Sequence, residues 1–176
     1  LCSGFSKVTI VESDTVEITA KIYNNGLSPV NNLFVEFYRG IPDTGQYELI
    51  GATTIPRIGG QDYQLASVKW NTAGQSGDRS VLVWVNPHNT ISECDSTNNK
   101  SITNIRVLKK ADLYSNCNNF SYDPPTPTEG ETLNVGIGFT NKGEAPASNF
   151  AVNVYLGDPN LGGNLIYTRS YQDTIL

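Results

Sequence analysis

The sequence predicts an all-β fold, an antiparallel β-sandwich present as one complete repeat and part of a second. Three observations lead there. Short runs of alternating apolar and polar residues follow one another along the chain, separated by Asn, Gly and Pro in turn-forming combinations. No helical period of apolar residues persists beyond about two turns. Finally, most of the stretch Glu12 to Gly45 is written again, without a gap, from Glu129 to Gly162. Asn24 falls on Asn141, Gly26 on Gly143, Pro29 on Pro146, Asn32 on Asn149, Val35 on Val152, Tyr38 on Tyr155, Gly40 on Gly157 and Pro42 on Pro159. The offset of 117 residues, from Asn24 to Asn141, exceeds a solenoid unit and approaches the size of one all-β domain.

In the first copy an initial strand is expected near Phe5 to Ile10. Val16, Ile18, Ala20 and Ile22 then alternate with Glu17, Thr19, Lys21 and Tyr23, a period of two that makes a half-buried strand. Asn24-Asn25-Gly26 ends it with a turn tolerant of positive φ, and after a loop holding Pro29 the next strand runs from Leu33 to Tyr38. Further strands are expected at Tyr47 to Ile55, Tyr63 to Trp70, Ser80 to Val85 and Ser101 to Leu108, divided by Gly59-Gly60, Gly74 to Gly77 and Asn86-Pro87. These make a seven-strand set at sandwich spacing. Along Ser80 to Val85 the valines Val81, Val83 and Val85 point one way, and Leu82 and Trp84 the other. With the valines in the core, Trp84 lies on an outer face, as a candidate contact for a partner or under a neighbouring loop or domain. Trp70, in step with Val68, is expected in the core.

Only Lys109-Lys110 separates the copies, so the expected domains are 1–109 and 110–176, joined without a flexible linker and stacked end to end. Strands are expected at 112–122, 132–140, 150–156 and 165–171. Nothing in the second copy corresponds to the first beyond about Gly59, which leaves roughly three strands without a counterpart. Leu133, Val135, Ile137 and Phe139, with Val152 and Val154, would form half of a core. The other half is expected from downstream strands of a parent protein or from a neighbouring chain.

Charged residues make up 16% of the chain and the net charge is −5, so the basic footprint of a nucleic-acid binder is absent and adhesion to an anionic membrane is not expected. No run approaches the ~18 apolar residues of a membrane span. Because Leu1-Cys2-Ser3 already reads as folded sequence, the chain is expected to be a mature or excised segment of a longer precursor.

Signs of catalysis are lacking. His88 is the only histidine and sits in a polar turn without a Ser or Cys motif beside it. Gly59-Gly60 and Gly162-Gly163 read as hairpin turns rather than a phosphate loop, and the acidic residues are scattered rather than paired. The chain is therefore not expected to be an enzyme or to hold an organic cofactor. Glu93, Asp95 and Asn98, with Asn86 or loop carbonyls, could offer hard oxygen ligands to Ca²⁺; alternatively they hydrogen-bond the backbone of a long turn. Asn99-Lys100-Ser101 and Asn119-Phe120-Ser121 fit the N-glycosylation acceptor pattern.

The segment Asn86-Pro87-His88-Asn89-Thr90-Ile91-Ser92-Glu93-Cys94-Asp95-Ser96-Thr97-Asn98-Asn99, before the last strand of the first copy, resembles the D-P-x-N-x-x-x-E-S-D-E-T-N-N closing motif of the CARDB domain, a cell-adhesion-related family of bacteria and archaea. Here Asn86 replaces the first Asp, Cys94 the Ser and Ser96 the second Glu. Ala111-Asp112-Leu113 and Thr128-Glu129-Gly130-Glu131-Thr132 are similar to the openings of such domains. The resemblance implies an immunoglobulin-like sandwich in cell-surface or secreted proteins, usually arrayed in tandem, and no particular ligand. In such a sandwich the first strand begins at the same end as the closing loop and can run partly parallel to the last strand. Cys2 and Cys94 are then expected to form a disulfide, which implies an oxidising, extracytoplasmic compartment. Cys2-Ser3-Gly4-Phe5 also resembles Cys117-Asn118-Asn119-Phe120, so Cys117 is expected at the place equivalent to Cys2.

The expected function is a structural or adhesive extracellular module acting as a stalk, spacer or cell-surface interaction repeat. Its expected partners are further copies of the repeat, in the same chain or a neighbouring one, and a cell-surface protein or glycan. Two other classes stay open: a filament or sheath subunit assembled by strand complementation, and a calcium-dependent carbohydrate- or protein-binding module.

Overall fold

The alternation of the first copy becomes eight strands: β1 Cys2–Phe5, β2 Ile10–Val11, β3 Thr15–Asn24, β4 Val30–Gly40, β5 Tyr47–Ile58, β6 Asp62–Asn71, β7 Gly77–Val85 and β8 Lys100–Leu108. The computed structural model describes residues 2–5, 9–41 and 43–176, and the chain divides into two units, Leu1–Leu108 and Lys109–Leu176.

In the first unit a three-stranded sheet ordered β1-β3-β6 faces a five-stranded sheet ordered β2-β8-β7-β4-β5, an immunoglobulin-like sandwich. Of the single strand expected from Phe5 to Ile10, residues 6–8 lie outside the described residues; Phe5 ends β1 and Ile10 opens β2, which belong to different sheets. β1 pairs antiparallel with β3, whereas β2 runs parallel to β8, Ile10 opposite Val107. Crossing between the layers lets one short stretch cover an open edge of each sheet.

Every second residue of β3 faces inward: Val16, Ile18, Ala20 and Ile22 are buried. They meet Leu33, Val35 and Phe37 of β4, Trp70 of β6, and Val81, Val83 and Val85 of β7. Burying a Val or Ile side chain is worth ~1.5–3 kcal/mol, so the strand pattern alone explains why the layers close. Trp70 is 3% exposed, in the core as expected.

The second unit contains β9 Leu113–Tyr114, β10 Phe120–Asp123, β11 Asn134–Ile137, β12 Thr140–Asn141, β13 Phe150–Leu156 and β14 Asn164–Tyr171. The strand expected over 112–122 is interrupted by a 3-10 turn at Cys117–Asn119, where Asn116 accepts from the Asn118 amide. The strand expected over 132–140 is divided into β11 and β12. The repeat nevertheless reaches individual hydrogen bonds. Asn24 Nδ2 donates to the Ser28 carbonyl at 2.8 Å, and Asn141 Nδ2 to that of Ala145 at 2.9 Å; each Asn Oδ1 accepts from the Gly amide two residues on at 3.0 Å. Positive φ recurs at Ser13 and Gly130, at Asn32 and Asn149, and at Gly45 and Gly162. The irregularity between Phe37 and Tyr38 recurs between Val154 and Tyr155.

Burial does not recur. Val16 and Ile18 are fully buried, but their counterparts Leu133 and Val135 are each 42% exposed. Among the described residues of the second unit only Ala145 and Ala147 are buried apolar residues. A ring cluster with centroids 5.1–5.3 Å apart packs Phe139, between β11 and β12, against the paired Phe150 and Tyr171 of β13 and β14.

Sheet register corrects the expected equivalence of the cysteines. Ser3 lies opposite Ala20, and Phe120 lies opposite Ile137, the counterpart of Ala20. Phe120 therefore corresponds to Ser3, and Cys2 to Asn119, so Cys117 falls in the turn before the strand. Four-residue resemblance was outvoted by pairing, because hydrogen-bond register fixes which side chains share a face.

Candidate functional site

With Val35, Phe37, Val83 and Val85 turned inward, their neighbours Phe34, Glu36, Tyr38, Leu82 and Trp84 must face outward from the five-stranded sheet. Strand pairing sets them in rows: Phe34 beside Thr54; Glu36 between Ala52 and Trp84, with Lys100 beyond; Tyr38 beside Leu82, with Ile102 beyond. Trp84 is half-buried on this outer face, and the Lys100 ammonium lies 3.9 Å above its ring.

Glu36 is the polar centre of the face. Its side chain is only 13% exposed; Oε2 accepts from the Tyr38 hydroxyl at 2.7 Å, and Oε1 lies 3.8 Å from His88 Nε2. That hydrogen bond, reinforced by burial and by the carboxylate charge, pushes the Tyr38 phenol up to about 12. His88 stacks on Phe34, ring centroids 5.6 Å apart, and its side chain remains 64% exposed. Beside this pair opens a groove of about 460 Å³, bordered by Asn32, Thr54, Pro87 and Thr90 as well as the two rings.

The loop from Asn86 to Asn99 holds His88 in place. Asn86 adopts positive φ, and its amide donates to the Phe34 carbonyl at 2.9 Å, which prolongs the β4–β7 ladder. Glu93 Oε1 accepts from Asn86 Nδ2 at 2.6 Å and from Asn99 Nδ2 at 2.8 Å. Asp95 Oδ1 accepts from the Thr97 amide and hydroxyl at 2.9 and 2.6 Å, which lowers its carboxyl below the usual range. Asn98 Nδ2 reaches Asp95 Oδ2 at 3.4 Å. Glu93, Asp95 and Asn98 thus bond the turn itself, and among the described residues no group of three or more His, Cys, Asp or Glu is placed to hold a metal ion.

Asn99, a candidate glycosylation acceptor, is 7% exposed, with its side-chain nitrogen committed to Glu93. Asn119, the other candidate, is half-buried at the end of the 3-10 turn. Cys94 and Cys117 are free and exposed, so the expected Cys2–Cys94 bond is not formed; the side chain of Cys2 lies outside the described residues. β1 nevertheless starts opposite Lys21, near the end of the sandwich from which the Asn86–Asn99 loop leaves.

The sequence had singled out Trp84 but not Phe34, Glu36 or Tyr38 around it. The signal was there in the alternation of Phe34, Glu36 and Tyr38 with Val35 and Phe37. Their exposure on one face needed the inner face to be assigned first.

Comparison with known proteins places this geometry in a family. The CARDB family profile matches residues 3–103, more than half of the chain. The CARDB domain of a Pyrococcus furiosus protein, solved in complex with di-metal ions, is 18% identical, with a TM-score of 0.48 over 60% of this chain and 84% of that one. A protein from Geobacter metallireducens is 30% identical, with a TM-score of 0.48 over 61% of this chain and 93% of that one. The 272–376 domain of a candidate cell surface protein from Methanosarcina acetivorans is 19% identical, with a TM-score of 0.47 over 60% and 87% of the two chains. No curated protein matches the chain. On the family match the chain belongs to the CARDB domains, a cell-adhesion-related family of immunoglobulin-like β-sandwiches.

Proposed function

We propose that the chain is a non-catalytic extracellular module, a stalk or spacer repeat whose outer sheet face makes adhesive contacts at the cell surface. The observation that carries this reading is the repeat itself. The same turn geometry, Asn anchors and strand irregularity occur in both copies. Such repetition builds length and multiplies a surface, which suits reach and adhesion better than a single reaction centre. Protease shaving of intact source cells tests the reading. Release of fragments of this sequence before lysis is expected, and full protection until lysis overturns an extracellular location.

A second reading is favoured by the second unit, whose counterpart core positions Leu133 and Val135 are exposed. In the first unit β4 pairs with both β5 and β7, whereas among the described residues β13 pairs with β14 alone. Strands from another copy of the repeat, in the same chain or a neighbouring one, would complete β13 and cover its inward face. Light scattering with an apolar dye checks this on the 176-residue chain. Self-association or dye binding that saturates with the second unit's exposure is expected, and a dye-silent, cooperatively folded monomer overturns it.

A further inference from the structure

The groove beside Phe34 has a composition that narrows its ligand, and the argument rests on the adhesive reading of this face. Its border contains no Asp, Glu, Lys or Arg, although the chain as a whole carries a net charge of −5. A charged ligand would therefore find no permanently charged partner on the border. What the border offers is an apolar wall, made by the stacked Phe34 and His88 rings with Pro87, and uncharged hydrogen-bonding groups around it. The Asn32 amide and the Thr54 hydroxyl are exposed, and neither bonds a described side chain. An amide both donates and accepts, and so does a hydroxyl.

A pyranose ring is the complementary object. It presents one face of C–H groups to a wall of rings and a rim of hydroxyls that both donate and accept. The groove volume of about 460 Å³ falls within the ~300–1,000 Å³ of small-ligand sites. Its position is built rather than accidental. Asn32 holds a left-handed backbone, φ 52°, at the start of β4, and His88 is carried by a loop locked through Asn86 and Glu93. The Glu36 carboxylate stands beside the pair, with Oε1 3.8 Å from His88 Nε2.

We propose that the groove formed by Asn32, Phe34, Thr54 and His88 binds a neutral sugar residue of a surface glycan. Phe34 and His88 stack against the ring, and Asn32 and Thr54 bond its hydroxyls. Titration of the ¹⁵N-labelled 176-residue chain with cellohexaose, chitohexaose and mannohexaose, and with hexagalacturonate as the anionic comparison, tests it. At least one neutral oligosaccharide is expected to shift the amide signals of residues 32–34, 54 and 87–90 in a saturable way, with hexagalacturonate weaker. Asn32→Gly, which suits the left-handed backbone, and Thr54→Val, which keeps the strand shape, are each expected to weaken binding about tenfold without changing the rest of the spectrum. His88→Phe, which preserves a ring on Phe34, is expected to retain most of it. No saturable shift with any of the three neutral oligosaccharides, shifts centred elsewhere, or Asn32→Gly and Thr54→Val variants that both bind as well as the parent overturn the proposal. Cell shaving does not depend on the groove, so a surface-exposed protein that binds none of these sugars refutes the sugar site and leaves the extracellular reading standing.

Discussion

Two carboxylates show how one side chain can hold a surface together. Glu93 gathers the amides of Asn86 and Asn99, which are 2% and 7% exposed. Glu93→Ala leaves buried donors without an acceptor and is expected to cost ~1–3 kcal/mol of first-unit stability; Glu93→Gln, whose amide oxygen still accepts, should cost less. Urea unfolding followed by tryptophan fluorescence gives both values. Glu36 acts through Tyr38, whose phenol it raises from an ordinary 10.0 to about 12. The folded state holds that proton more tightly than the unfolded one. Its contribution to stability is thus complete below about pH 10 and is lost as pH rises through about 12. Glu36→Ala removes both the acceptor and the charge and should bring Tyr38 back toward 10, whereas Glu36→Gln, which still accepts from the phenol, should lower it less; both are read from the tyrosine ring carbons by NMR.

At the scale of the elements, the Asn-x-Gly turn is a clamp rather than a simple reversal. Asn24 Nδ2 bonds the carbonyls of Ser28 and Gly59, and its Oδ1 takes the Gly26 amide, tying the end of β3 to the β5–β6 hairpin. Asn24→Ala is expected to destabilise the first unit by ~1–3 kcal/mol, measured by thermal or urea unfolding. Asn24→Asp keeps only the acceptor half and should fall between. The crossing of the N-terminal stretch between sheets also belongs here. The two ends of a run read as one strand, Phe5 and Ile10, lie in β1 and β2 on different layers; the edge of each layer gains a partner, and local alternation says nothing about which layer supplies it.

For the molecule as a whole, the two units share local geometry and differ in what lies over it. Amide exchange should report the difference residue by residue. Backbone amides of 17–20 in β3 and 33–37 in β4 are expected to exchange with global unfolding of the first unit. Their counterparts 134–137 and 150–154 should exchange orders of magnitude faster, since few buried contacts oppose local opening. Equal protection in the two sets would show that the exposed apolar faces of the second unit are covered in solution.

Local chemistry was legible in the sequence, and long-range placement was not. The period of two in Val16 to Tyr23 determined a half-buried strand, the valines of β7 determined that Trp84 faces outward, and the 117-residue offset determined two copies with matching turns. Each follows from side chains a few residues apart, where backbone geometry alone decides direction. Only the tertiary structure brought His88 onto Phe34, because the two lie far apart in sequence and meet through the β4–β7 ladder prolonged by Asn86. Only sheet register could show that Cys117 is not the counterpart of Cys2, since four similar residues carry no record of their partners across the sheet.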